Sequence, residues 1–452
     1  MDLEIGRGTC HCLTGATGSG KTSLILALKG LLAGGRREGA VELGARSGRP
    51  PRVGVVLQDP ETQLLAATVG PEVAFGLENL GVDPASMPDR ARSALAAAGL
   101  EAALDRPVEH LSMGQKYRLV LAGALAMEPD LLALDEPSAQ LDPEGLARLR
   151  EVMVRLKAAG VSFLVCEHAP GWAAGVADEW WHLAGEEGLE PRAAPESSGP
   201  APEGSPPWPG AGIGGAQDGA TAPGPAGSPR PADADGPGAE AIWVRALELA
   251  GPGGGPLWPA LSFGVAAGAC AAVCGPNGSG KTTLLRSLMG FVPPARGQVR
   301  VLGEAPRPEA LRGRAGCLFQ NPSRQLFEDT VRAEVAFGPT RQGLKGRALE
   351  ERVGEALRRC GLTHLAGGSP HRLSFGQKHL VALAAALALD PAVLLLDEPL
   401  AGLDPGLAAT VLALLREQAA DRDAAICWTT HHPDAVPAWA APVLRLERPG
   451  AV

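Results

Sequence analysis

The chain has 452 residues, 45% of them hydrophobic and 20% charged, enough for two or three domains with real cores. Its longest apolar stretches, Leu380 to Leu389 and the glycine-diluted Phe263 to Gly275, fall short of the roughly 18 residues a membrane-spanning helix needs, and Asp2 and Glu4 directly after Met1 do not read as a secretory signal. A net charge of -9, from 41 basic and 50 acidic residues, offers no field for a nucleic-acid backbone, so the expectation is a cytoplasmic protein with no nucleic acid as its main partner and no membrane span of its own.

In chain order, an apolar run leads into Gly15 to Thr22, which fits G-x-x-x-x-G-K-[ST], and a helical run, Ser23 to Lys29, follows. This is the setting of a phosphate-binding loop. Gly15, Gly18 and Gly20 let backbone N–H groups turn inward beside Ser19, Lys21 reaches phosphate oxygens, and Thr22 offers a hydroxyl to Mg²⁺, with Ser23 next in the helix. LSMGQ at 111 places Ser112, Gly114 and Gln115 at a helix start, where free N–H groups face an anion. The strand-like run Leu131 to Leu134 ends in Asp135, which can hold a cation opposite Thr22, and Glu136, which can polarise a water. Phe163 to Cys166 is a further apolar run and leads into Glu167 and His168.

The same order then returns. Gly275 to Thr282 repeats the loop, with Gly275, Asn277, Gly278, Ser279, Gly280, Lys281, Thr282 and Thr283 at the matching places. LSFGQ at 373 supplies Ser374, Gly376 and Gln377. Val393 to Leu396 ends in Asp397 and Glu398, and Ile426 to Trp428 precedes Thr429 and His431. Ser112 maps on Ser374, Asp135 on Asp397 and Asp142 on Asp404 at one offset, so the chain is a duplication. Short buried runs alternating with periodic helical stretches predict an α/β fold with a mostly parallel sheet in each half. The expected boundaries are 1–190, 191–240 and 241–452. About two thirds of the residues from Pro191 to Glu240 are Pro, Gly or Ala, a composition that cannot offset its ordering entropy, so this segment reads as a disordered linker spanning roughly 40 Å or more. The eight cysteines show no CxxC pair and sit mostly in apolar runs, which reads as buried free thiols.

An LSxGQ string 20 to 25 residues before a strand ending in Asp-Glu, found in both halves with a phosphate loop upstream, resembles the ATP-binding cassette (ABC) family. The resemblance covers both halves. It implies two P-loop NTPase domains, each a mostly parallel sheet core with a helical subdomain, that bind and hydrolyse ATP with Mg²⁺. It further implies that the halves pair head to tail, so that Ser374, Gly376 and Gln377 complete the site on Lys21, and Ser112, Gly114 and Gln115 complete the site on Lys281. By the same resemblance Thr22, Gln58 and Asp135, with Thr282, Gln320 and Asp397, hold the metal; Gln58 and Gln320 also sense the γ-phosphate. Glu136 and Glu398 activate water, His168 and His431 contact the γ-phosphate, and Asp142 and Asp404 lie at the dimer seam.

The stretches after the two glutamines, LQDPETQLLAATVGPEVAFGLENLG from 57 and FQNPSRQLFEDTVRAEVAFGP from 319, look like those of the energy-coupling factor (ECF) and cobalt-type importers. That resemblance implies a vitamin or transition-metal importer at the cytoplasmic face of the membrane, with a membrane T component and a substrate-capturing S component as partners. The pairs Leu64-Leu65 and Leu326-Phe327 are expected as an exposed socket for the T component. A tandem sugar-importer ATPase and a ribosome-acting tandem cassette remain open, the latter against the absence of a charged helical arm. The halves also differ. Half one has 14 residues before Gly15 where half two has 34 between Ala241 and Gly275, so the Lys21 site is expected to bind nucleotide more weakly if Met1 is the true start. Gly251 occupies the place of the aromatic that stacks on adenine, leaving Trp258 as a distant substitute. Glu167 precedes His168, and Gln140 stands where half two has Gly402.

Overall fold

The computed structural model describes residues 2–32, 40–44, 49–168, 170–184, 188–194, 240–251 and 255–447. The chain divides into two compact units whose boundary falls between Ser205 and Pro206. Residues 195–239, the greater part of the segment expected to be a linker, lie outside the described residues. No helix among the described residues is long and apolar enough to cross a membrane.

The first unit runs β1 (Cys10–Thr14), α1 (Lys21–Lys29), β2 (Val53–Val56), α2 (Val69–Asn79), α3 (Met87–Ala97), α4 (Met113–Ala126), β3 (Leu131–Asp135), α5 (Pro143–Ala158), β4 (Ser162–Glu167), β5 (Glu179–Leu183) and β6 (Leu189–Pro191). The sheet order is β2-β3-β4-β1-β5-β6, parallel except where β6 returns antiparallel on β5. The central strands are apolar on both faces because both are covered. Ile25 of α1 packs with Leu13, Ala133 and Leu164 on one side; Cys12, Leu132 and Phe163 join the core of α4 and α5 on the other. Each such fully buried aliphatic contributes about 1.5–3 kcal/mol. The helices α2, α3 and α4 pack on one another as the helical subdomain.

The second unit runs β7 (Ile242–Glu248), β8 (Leu261–Val265), β9 (Cys270–Cys274), α6 (Lys281–Leu288), β10 (Arg296–Val301), the short α7 (Pro308–Leu311), β11 (Ala315–Leu318), α8 (Val331–Arg341), α9 (Gly346–Arg359), α10 (Phe375–Ala388), β12 (Val393–Leu396), α11 (Pro405–Arg422), β13 (Ala425–Thr430) and β14 (Val443–Arg445). Its parallel sheet, β11-β12-β13-β9-β14, repeats the order of β2-β3-β4-β1-β5. The expected α/β architecture is therefore present in both halves. The run at 426 extends further than its apolar residues suggest: Thr429 and Thr430 stay in β13 because they pair in register with Val273 and Cys274.

A separate antiparallel sheet, β10-β7-β8, covers one face of the second unit through Ile242, Val244, Phe263 and Val299. Among the described residues of the first unit no such sheet precedes β1. All eight cysteines are free, seven of them buried. Burial pushes the thiols of Cys10, Cys270, Cys360 and Cys427 up to about 12, which leaves them protonated and inert.

Candidate nucleotide site

In each unit the phosphate loop joins the strand end to the helix, β1 to α1 and β9 to α6, and two of its glycines do what no other residue does cheaply. Gly20 (φ 102°) and Gly280 (φ 89°) cap the helices in the left-handed region, and Gly18 and Gly278 both lie at φ 84°. A side chain built on Gly18 or Gly278 meets nothing within 4 Å, so the concave side of the loop is open. Ser19 and Ser279 Oγ are enclosed beside Gly15 and Gly275 rather than on that open side, and have no hydrogen-bond partner. An open loop at a helix N-terminus fits a phosphate group. Asn277 sits in the turn of the loop, and Ser23 and Thr283 in the first helical turns.

Lys21 Nζ donates to Gly15 O at 2.8 Å and Ala16 O at 3.2 Å, and lies 3.6 Å from Glu136 Oε1. Lys281 repeats this on Gly275 O and Pro276 O, 3.3 Å from Glu398. Thr22 Oγ1 donates to Asp135 Oδ2 and Thr282 Oγ1 to Asp397 Oδ2, both at 2.7 Å. The hydroxyl and carboxylate that were expected to share a divalent cation thus meet directly. Burial first, then Glu136 alongside, push the Asp135 carboxyl up to about 6, against the Thr22 hydroxyl and Lys21; burial raises Asp397 likewise, against Thr429 and Thr282. A buried carboxylate that resists ionisation is the kind a cation relieves.

The histidines arrive as expected at the ends of β4 and β13. His168 Nε2 is 2.6 Å from Glu136 Oε1, and His431 Nδ1 is 2.9 Å from Glu398 Oε2. Burial acts to raise the Glu398 carboxyl, but His431 and Lys281 overcome it and hold it well below the usual range. Gln58 Nε2 donates to Glu136 Oε2; Gln320 stands half-buried after β11. Lysine, glutamate, histidine and glutamine of the first half therefore converge from four segments on one cluster.

The remaining expected residues lie elsewhere in each unit. Ser112 and Ser374 cap α4 and α10 in full capping boxes with Gln115 and Gln377, with Gly114 and Gly376 buried in the first turn. Asp142 and Asp404 cap α5 and α11, accepting from Gly145 N at 2.8 Å and Leu407 N at 2.9 Å.

Three features escape sequence reading. Trp258 is not distant from the site: it is buried against the loop, where a side chain on Gly280 would come within 2.1 Å of its ring. Contact across a β-strand and a loop leaves no local pattern to find. Thr429 ties the second centre together, donating to Asp397 Oδ1 at 2.7 Å and accepting from Glu398 N at 2.9 Å. The pair Leu326-Phe327 is only half exposed. Leu326 is core at 5% exposure while Phe327 is open at 58%, and Leu64 packs on the core while Leu65 is open at 71%. Successive residues leaving a helical turn point to opposite sides, so one of each pair goes in.

The halves are two P-loop nucleotide-binding domains of one kind, arranged in tandem. The ABC transporter family profile matches residues 1–139 and 259–401, and the chain belongs to that family; its two domains are ABC ATPase domains. An ABC transporter ATP-binding protein of Bifidobacterium longum, named provisionally, is 34% identical over 92% of this chain, which spans 58% of that protein's length. A Bacillus subtilis protein named, also provisionally, as an HMP/thiamine import ATP-binding protein is 32% identical over 100% of this chain and 86% of its own length. The structure of cbiO1 from Clostridium perfringens, described as part of the ABC transporter complex cbiONQ, is 33% identical with a TM-score of 0.43, over 47% of this chain and 86% of that one.

Proposed function

We propose that the chain is the ATP-hydrolysing subunit of an ECF-type importer of a small vitamin or transition-metal ion, working at the cytoplasmic face of the membrane through a T component, with an S component selecting the cargo. The observation that carries this is the rigid exposed apolar feature behind each glutamine. Gln63 accepts from Leu57 N at 2.7 Å and donates to Val55 O at 3.0 Å; Gln325 does the same to Phe319 N and Cys317 O. Glu72 Oε2 then accepts from Leu65 N and Ala66 N, and buried Glu334 from Phe327 N and Glu328 N. These ties hold Leu65 and Phe327 outward. Phe327 packs edge-on against half-exposed Phe337 at 4.7 Å, and Arg341 lies over the latter ring at 5.3 Å. An apolar surface fixed this firmly, and linked by a few residues to Gln58 or Gln320, suits a partner helix that must move with the nucleotide state. The thiamine-import name of the Bacillus relative supports the same class.

In this reading the two halves pair head to tail, with residues 191–240 as a tether that raises their effective concentration. The open cradles of Gly15–Thr22 and Gly275–Thr282 receive the phosphates of ATP. Thr22, Gln58 and Asp135, and Thr282, Gln320 and Asp397, would hold Mg²⁺, which supplies neutralisation of the phosphate charge. Glu136 and Glu398 orient the attacking water and accept its proton, and His168 and His431, now resting on those carboxylates, turn to the γ-phosphate. Ser112 and Ser374 present their helix N-termini to the nucleotide held by the other half.

Co-purification tests the assignment. Leu65→Asp with Phe327→Asp should abolish assembly with a T-type membrane protein while sparing basal ATPase. Unimpaired assembly with that partner, or pairing with a sugar-importer permease instead, overturns the ECF reading.

A further inference from the structure

Glu167 has no part in the chemistry above, yet it is among the most completely enclosed carboxylates of the first half, at 1% exposure. Four donors from three segments satisfy it. Ser138 N at 2.9 Å and the indole Nε1 of Trp172 at 2.9 Å reach Oε1; Ser138 Oγ at 2.7 Å and His168 N at 3.2 Å reach Oε2. Ser138 lies two residues past Glu136, in the turn leading to the α5 cap Asp142. Trp172 lies in the turn that follows His168. One carboxylate therefore clasps the main chain carrying the glutamate to the main chain carrying the histidine, and the pair it frames is the 2.6 Å contact of His168 with Glu136.

The second half is built differently at each of these places. Thr430 stands for Glu167, Leu400 for Ser138 and Ala435 for Trp172. Leucine and alanine side chains bring no donor, and the Thr430 hydroxyl accepts instead from His432 N at 3.0 Å. There the glutamate segment is held through Thr429 of the strand, and the histidine main chain reaches the glutamate itself, His431 N donating to Glu398 Oε2 at 3.2 Å, with no third carboxylate between them among the described residues.

We propose that Glu167 is a positioning residue for hydrolysis in the first half alone, fixing the main chain of His168 against the turn after Glu136 so that the two ATP sites of the chain turn over unequally. The inference rests on the functional reading of Glu136 and His168 above. A carboxylate with four good donors, two of them backbone N–H groups, is stiffer than a threonine hydroxyl with one, and placement of a general base and its partner is worth orders of magnitude in rate. Binding of the nucleotide itself rests on Lys21 and the loop, which Glu167 does not touch.

The test uses the intact chain. Glu167→Gln keeps size but sets an amide N–H against donors; Ser138→Ala and Trp172→Phe each remove fewer bonds and give milder variants should the first fold poorly. Each should lower kcat, by about 3- to 10-fold for Glu167→Gln and less for the other two, with KM for ATP within about two-fold. Thr430→Val, the counterpart in the second half, should leave kcat within about two-fold. Amide hydrogen exchange read in parallel should quicken at Ser138 and His168 in Glu167→Gln and stay unchanged through Lys21 to Lys29. An unchanged kcat, a rise in KM that accounts for the loss, an equal loss in Thr430→Val, or unaltered exchange at His168 would each overturn the proposal. Absence of ATPase activity in the unaltered chain would instead refute the functional reading, and the exchange result would still decide whether Glu167 clasps the two segments.

Discussion

Glu136 and Glu398 lie at φ 47° and 51°, in the left-handed region where a side chain other than glycine or asparagine costs on the order of 1 kcal/mol or more. The same strain at the same place in both copies is understandable if the carboxylate must face the phosphate loop. Other residues reveal their setting through charge. His379 is wholly buried in α10, and burial pushes its imidazole down to about 4, with the Pro399 carbonyl opposing. Its folded value lies below that of the unfolded chain, about 6.5. The neutral form is therefore no burden above pH 6.5, and stability is lost as pH falls from there towards 4, because the unfolded chain takes the proton first. The loss approaches about 2 kcal/mol at pH 5. Thermal melts from pH 7 to pH 5 should show this slope in the second unit, and His379→Gln should flatten it whatever it does to the melt at pH 7. An equal slope in the variant would remove His379 from the account.

At the scale of elements, what could be read in the sequence is what local chemistry fixes. Phosphate loops, capping boxes and strands ending in Asp-Glu each carry their signal within a dozen residues, and each forms as expected. The fate of Leu326 and Phe327 is not local, since a turn leaving β11 sends them to opposite sides and only the packing of α8 and α10 shows which is which. The Glu167 clasp is hidden for the same reason: Ser138 and Trp172 come together only once β3 and β4 pair. The separation of Leu326 from Phe327 makes a sharp test. Leu326→Asp should destabilise the second unit by several kcal/mol, because it buries a charge in the helical subdomain, whereas Phe327→Asp should leave its melting temperature within a few degrees. Equal effects on circular-dichroism melting would mean that both side chains are core.

For the whole molecule, duplication is the governing fact. Two units repeat one strand order and one set of motifs, yet each keeps its own wiring: Glu167 with Ser138 and Trp172 in the first, Thr429 with Asp397 and the β10-β7-β8 sheet in the second. In the proposed function Glu136 and Glu398 are the groups that activate water in their own halves. The most direct measurement is steady-state Mg²⁺-dependent ATP hydrolysis by the intact chain carrying Glu136→Gln and Glu398→Gln together, with nucleotide binding measured alongside. The account predicts turnover lowered by roughly 10² to 10⁴ with ATP affinity within a few-fold of the parent, since the water loses its base while the phosphate cradles stay intact; turnover equal to that of the unaltered chain would contradict it.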